Sequence, residues 1–254
     1  MVELKHVSYN FGSQWALKDI SLTLDKGDFL FLTGHSGAGK STLLRLLYGD
    51  LPLKRGQATV FGHEIHNMTK KRIPDLRRDV SVVFQDFKIL PRRTVFENVI
   101  IALEVRNIGR HHRERRTRAV IRAMGLEKKT YTRCDRLSGG EQQRVAIARS
   151  MVTNPKLILA DEPTGNLDQD LTNHLMNIFN QFHSFGTTII MATHSREVLK
   201  CVPEAKILHL ENGKAVQTPD PQGGTCATEP DDSIDEYMSA EGDSVIDTDV
   251  EEML

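Results

Sequence analysis

At 254 residues, 39% hydrophobic and 26% charged, the chain has enough apolar content to bury a sizeable core as one large domain or a domain with a subdomain, which excludes disorder throughout. No apolar run approaches the ~20 residues that cross a bilayer. Met1-Val2-Glu3-Leu4-Lys5 lacks a basic-then-apolar leader, so a soluble chain that stays where it is made is expected, and the scattered Cys134, Cys201 and Cys226 show no paired spacing for a zinc site.

Val2 to Val7 and Ile20 to Leu24 read as two strands, the second alternating apolar and polar residues before the Lys26-Gly27-Asp28 turn. Phe29 to Thr33 is nearly all apolar, as a strand buried on both faces of a parallel sheet requires, and helical residues run from Ser41 to Leu47. From Val95 to Arg122 the composition shifts to helix formers with many arginines, which predicts an inserted helical block closing at Leu137. Leu157 to Ala160 and Thr188 to Ala192 are two further buried strands. Between them a helix places Leu171, Leu175, Ile178, Phe179 and Phe182 on one face, a β-α-β order that predicts parallel pairing.

Ile207 to Leu210, Asn212-Gly213 and Ala215-Val216 predict a terminal hairpin. The net charge of -1 hides an asymmetry around that point. Residues 215–254 hold twelve Asp or Glu and no Lys or Arg, leaving all 33 basic residues against 22 of the 34 acidic ones in residues 1–214. The folded domain is expected to end near residue 217, with 218–254 an acidic, disordered tail.

Three separated motifs carry chemistry. Gly34-His35-Ser36-Gly37-Ala38-Gly39-Lys40-Ser41, followed by Thr42, fits the phosphate-binding loop: glycines let backbone N–H groups wrap the phosphates and the next helix points its positive end at them. Lys40 is expected on the β- and γ-phosphates and Ser41 on Mg²⁺. Asp161 and Glu162 end the strand from Leu157, so Asp161 is placed to hold Mg²⁺ and Glu162 to act as general base on the attacking water. Ser138-Gly139-Gly140-Glu141 leaves backbone donors open at a helix N-terminus, a second anion site with Ser138 as N-cap.

Standing together, these motifs resemble the ABC ATPases over residues 1–217. The resemblance implies an α/β fold: a P-loop NTPase core with an N-terminal antiparallel β-subdomain and an α-helical subdomain inserted at about residues 90–150. It further implies Phe11 as the aromatic on adenine, with Tyr9 as a rival, and Gln85 as the glutamine that reaches Mg²⁺ and the attacking water. Asn166-Leu167-Asp168 becomes the D-loop, and His194 the switch histidine on the γ-phosphate. It implies a head-to-tail homodimer that sandwiches two ATP molecules, each between the P-loop of one subunit and Ser138 to Gly140 of the other.

Phe31 to Leu44, Phe84 to Leu90, Arg93 to Val99 and Asp161 to Asp168 closely resemble, in their wording, the FtsE group of bacterial cell-division ATPases. That implies an integral membrane partner, FtsX, contacted through Gln85 to Pro91, with Phe87, Leu90 and Pro91 in a helix-receiving groove, and peripheral attachment at the cytoplasmic face of the bacterial plasma membrane. The task implied is regulation of peptidoglycan hydrolysis. The ATPases of lipoprotein-release and macrolide-export systems, which share the Asp161 to Asp168 wording, are the alternative. The arginines from Arg106 to Arg122 lack interleaved aromatics and read as a solvated helix face, with anionic lipid headgroups or the chain's own acidic tail as the alternative uses, so no nucleic acid is expected as a partner.

Overall fold

The computed structural model describes residues 1–106, 108–165 and 167–216. The expectation for residues 218–254 concerns a segment outside them. The chain opens with β1 (Val2–Phe11) and β2 (Gln14–Leu24), antiparallel neighbours that β4 (Arg55–Val60) and β5 (His63–Glu64) extend to a sheet of order β2-β1-β4-β5. Both opening strands are longer than their hydrophobic alternation suggests. The β1–β2 register shifts between Leu4 and Val7, Val7 and Tyr9, and Tyr9 and Asn10, with His6 at φ 52° and Asp19 at φ 56°, so a strict two-residue period is lost after Leu4.

The second sheet contains β3 (Phe29–Thr33), β6 (Val80–Val83), β7 (Leu157–Asp161), β8 (Thr188–Ala192), β9 (Lys206–Glu211) and β10 (Lys214–Val216), in the order β10-β9-β3-β8-β7-β6. All its pairings are parallel except β10 on β9. That last hairpin turns at Asn212 (φ 48°) and Gly213 (φ 79°), the pair of left-handed residues that an Asn-Gly turn supplies. β7 and β8 pair in parallel across α6 (Gln169–Ser184), as the sequence predicts.

Side chains alternate across β3, so Phe29 and Phe31 enter one core while Leu30 and Leu32 enter another. The Leu30 side packs on the antiparallel sheet, through Val7, Leu17 and Ile20, and on α1 (Lys40–Leu47), through Leu43 and Leu47. The Phe31 side takes Leu175 and Phe179 of α6 together with a layer of three helices, α3 (Val95–Glu104), α4 (Arg110–Ala123) and α5 (Gly139–Met151). The inserted stretch is thus two helices, α3 and α4, before the one that begins at Gly139. Residues 105–109 separate them. On α4, Thr117, Val120 and Ile121 are buried while Arg115, Arg118 and Arg122 are exposed, an amphipathic division of the arginine-rich stretch.

Two shorter α-helices, α2 (Ile73–Asp79) and α7 (Arg196–Lys200), and three 3₁₀ turns at Ile65–Asn67, Glu127–Lys129 and Cys134–Arg136 complete the described fold. Because β3, β6, β7 and β8 run parallel, the loops after them open on one edge of the sheet. This arrangement carries residues 34–41, Gln85, Asp161 and Glu162, and His194 to a common place.

Candidate functional site

Gly34 leaves β3 at φ 135°, and a Cβ there would stand 2.2 Å from the Leu210 carbonyl oxygen, so the loop passes closer to β9 than any other residue allows. Gly39 (φ 111°) is the N-cap of α1 and contributes no side-chain cap, so the first-turn N–H groups face the loop without a competing side chain. Lys40, 9% exposed, folds its ammonium back on the loop and donates to the carbonyls of Gly34 (2.7 Å) and His35 (3.2 Å). Ala38 is buried, whereas His35, Ser36 and Gly37 are exposed.

A cavity of about 710 Å³ opens over this loop. Gly34, His35, Ser36, Gly37, Gly39, Lys40, Ser41 and Thr42 contribute from the loop side, and Gln85, Asp161, Glu162 and His194 from the ends of β6, β7 and β8. Burial pushes the Asp161 carboxyl above its ordinary range and the neighbouring Glu162 adds to the rise, against a hydrogen bond with Ser41 and the charge of Lys40. Glu162 sits at φ 51°, a left-handed conformation uncommon for a residue with a Cβ, and its N–H donates to the Ala192 carbonyl (3.0 Å). That turn leaves its side chain 2.9 Å from Nδ1 of the exposed His194, a hydrogen bond between the candidate base and the candidate switch.

Phe11 is half exposed and lines the cavity, while Tyr9 is 8% exposed and meets Phe11 edge-on at 5.0 Å. Of the two rivals for a base-stacking surface, only Phe11 presents a face to the cavity. Trp15, which sequence reasoning passed over, stands beside it at 38% exposure, with the Arg55 guanidinium 5.0 Å over its ring. Gln14, Ala16 and Gly165 also line the cavity and were not singled out. The signal for Trp15 was the β1–β2 hairpin itself, whose register sets Asn10 opposite Trp15.

Ser41, Gln85 and Asp161 contribute three oxygen-bearing side chains to the lining of one cavity, with Ser41 and Asp161 hydrogen-bonded to each other. A small set of hard oxygen donors beside a phosphate cradle fits Mg²⁺, which is usually held by one or two carboxylates plus phosphates and water. The loop, with open space around Gly37, fits a polyphosphate.

Ser138, Gly139, Gly140 and Asp168 lie outside the cavity lining. Ser138 caps α5 reciprocally with Glu141: the Glu141 N–H donates to Ser138 Oγ (3.3 Å) and the Ser138 N–H to Glu141 Oε2 (2.9 Å). Lys129 pairs with the same carboxylate. A Cβ on Gly140 would come within 3.1 Å of Leu167 Cδ2, so the start of α5 packs directly on the segment after β7. Asp168 is exposed and caps α6 by accepting from the Leu171 N–H at 2.9 Å. Asn166 of the expected D-loop lies outside the described residues.

Two contacts from α5 have no sequence signature. Buried Gln143 donates to the Pro163 carbonyl, one residue past Glu162, and Arg149 donates to the Phe87 carbonyl (2.9 Å), two residues past Gln85. Phe87 (φ 58°) and Lys88 (φ 48°) are consecutive left-handed residues, so Arg149 secures a tightly turned loop. One helix thereby touches both loops that supply the candidate chemistry.

Residues 17–165 match the ABC transporter family. The cell division ATP-binding protein FtsE of Streptococcus pneumoniae (serotype 2, strain D39) is 42% identical over 219 residues, covering 85% of this chain and 94% of its own length. FtsE of Bacillus subtilis (strain 168) is likewise 42% identical, with 85% and 95% covered, and FtsE of Escherichia coli (strain K12) is 42% identical with 76% and 88% covered. Among solved structures, a dimeric ATP-binding cassette in a post-hydrolysis state bound to ADP and Pi superposes with a TM-score of 0.80 at 30% identity, over 88% of this chain and all of that one. With its motifs gathered at the edge of a parallel sheet and these similarities along most of its length, the chain belongs to the ABC transporter ATPases and, within them, to the FtsE group of cell division ATP-binding proteins.

Proposed function

We propose that this chain is the ATP-hydrolysing subunit of an FtsEX-like complex, peripheral to the cytoplasmic face of the bacterial plasma membrane, whose ATP-driven closure acts through an FtsX-like protein to regulate peptidoglycan hydrolysis. The observation that carries the reading is the split of the machinery. Lys40, Asp161, Glu162, His194 and Gln85 share one cavity, while Ser138 to Gly140 stand outside it at the solvent-facing start of α5. A single chain therefore offers half of a phosphate enclosure, and a head-to-tail homodimer brings Ser138 of one subunit over the cavity of its partner.

In that enclosure the residues divide the work. Phe11 stacks on the base, and Trp15 widens the aromatic surface. The loop N–H groups and Lys40 bind the phosphates, with Lys40 exchanging the carbonyls of Gly34 and His35 for phosphate oxygens. Ser41, Asp161 and Gln85 would hold Mg²⁺, which would supply charge neutralisation at the phosphate oxygens. Glu162 takes the proton of the attacking water, and His194 orients Glu162 through the 2.9 Å bond. No helix among the described residues is long and apolar enough to span a membrane, which is consistent with attachment through a partner.

Glu162→Gln keeps the shape of the side chain and removes the base. Phosphate release is expected to fall by about 10²–10⁴-fold, with ATP now holding the chain as a dimer on gel filtration. Normal turnover in this variant would sink the role given to Glu162. Co-purification of a membrane partner from detergent extracts tests the FtsX assignment separately.

A further inference from the structure

A second cavity, of about 620 Å³, lies beside β6 between α2, the C-terminal part of α3 and α5. Its charge is one-sided. Arg77, Arg78, Lys88, Arg106 and Arg149 line it, and no acidic residue does. Arg149 is bonded to the Phe87 carbonyl, and Arg77 leans on the Tyr48 ring at 5.3 Å, so neither spends its charge on a carboxylate. The ion pairs of Arg78 with Asp75 and Lys88 with Asp86 are solvent-exposed and therefore weak. The apolar part includes Val82, Phe84 and Val105, and Val105 is 72% exposed. A basic, partly apolar groove suits an acidic amphipathic helix.

The chain carries a segment of that description. Residues 217–254 include twelve Asp or Glu and no Lys or Arg. Within them Ile246, Val250, Met253 and Leu254 recur at i, i+4, i+7 and i+8, the spacing of one helix face, and are flanked by Asp247, Asp249, Glu251 and Glu252. We propose that this acidic segment docks in the basic groove of its own chain.

The reach is right. β10, which ends at Val216, and β6 form opposite edges of the six-stranded sheet. Five strand spacings of about 4.8 Å put them roughly 24 Å apart. Thirty residues separate Val216 from Ile246, and a generic linker of that length spans a root-mean-square distance of about 30 Å, at 5–6 Å times the square root of the residue number. A tether whose span matches the gap gives nearly the highest effective concentration a linker can supply. The groove adjoins Phe84 and Lys88, so the docked segment covers the surface assigned above to the membrane partner and must leave before that partner binds. This consequence rests on the proposed function, whereas the docking itself rests on the groove and the segment alone.

Zero-length carbodiimide coupling of the full chain, read by peptide mass spectrometry, tests the docking without any partner present. An equal mixture of isotopically heavy and light chains tells coupling within a chain from coupling between chains. The expected result is that Lys88 couples to carboxylates of residues 229–252 within one chain at least about fivefold more than the exposed Lys26, Lys70 or Lys128 does. The paired substitution Arg77→Glu and Arg78→Glu should abolish that preference, and 0.5 M salt should reduce it. Even coupling over all four lysines, a preference that survives the charge reversal, or coupling confined to heavy–light pairs would overturn the proposal. The first of these would leave the groove to an acidic helix of the membrane partner, so the reading of the groove as the partner's site stands or falls apart from this test.

Discussion

Asn98 is fully buried on α3, yet its side chain serves the loop before the helix rather than the helix itself. Its Oδ1 accepts from the Leu90 N–H at 2.7 Å, and its Nδ2 donates to the carbonyls of Leu90 (3.0 Å) and Thr94 (3.0 Å). It thereby ties down residues 90–94, directly after the loop that carries Gln85. Asn98→Ala keeps a good helix former and removes these bonds. At about 1 kcal/mol for each of three bonds, plus about 1 kcal/mol for leaving buried groups of the loop unsatisfied, the loss is about 4 kcal/mol. For a domain of this size that corresponds to a fall in melting temperature of roughly 10 °C. Urea unfolding followed by circular dichroism at 222 nm measures it. Asn98→Asp keeps an acceptor for the Leu90 N–H but sets a second oxygen against the Leu90 and Thr94 carbonyls, so it should rescue little at neutral pH. A loss below about 1 kcal/mol for Asn98→Ala would refute the claim that this side chain holds the loop.

Other consequences can be checked in the same preparations. Gly39→Ala puts a Cβ 2.5 Å from the Ala16 carbonyl oxygen at φ 111° and should destabilise by about 3 kcal/mol, whereas Gly37→Ala, at φ 79° with nothing within 4 Å, should lose only about 1–2 kcal/mol, the left-handed penalty alone. Equal urea midpoints for the two variants would contradict the packing described. Burial pushes the Cys134 thiol up to about 11, so iodoacetamide at pH 8 should leave it unmodified in the native chain and alkylate it in urea. Rapid native alkylation would show the site to be open. Burial raises the Asp79 carboxyl, but hydrogen bonds from His63 and Lys156 outweigh it and the net shift is downward. A carboxyl lowered on folding adds stability above its unfolded value and loses it as the pH falls through the folded one. Asp79→Asn should therefore cost about 1 kcal/mol at pH 7, and its difference from the parent should shrink below about pH 4. A gap that stays constant with pH would assign the effect to something other than this carboxylate.

The sequence alone determined the local pieces. Phe29 to Lys40 reads as a buried strand running into a phosphate loop because a nearly all-apolar five-residue run and a glycine cluster each have only one economical geometry. Asp161 and Glu162, Ser138 to Glu141 and the Asn212-Gly213 turn are legible for the same reason, since their residue types answer a local backbone need. Tertiary structure decided whatever depends on residues far apart in the chain. It turned Phe11 rather than Tyr9 to the cavity, because register shifts in β1 bury the one and expose the other. It put Trp15 at the same mouth through hairpin pairing, and set Arg149 on the Phe87 carbonyl and Gln143 on the Pro163 carbonyl. Such contacts join a helix to loops 20 to 62 residues away. No local pattern encodes them, because the parallel sheet, by bringing the ends of β6, β7 and β8 to one edge, creates the neighbourhood in which those side chains meet.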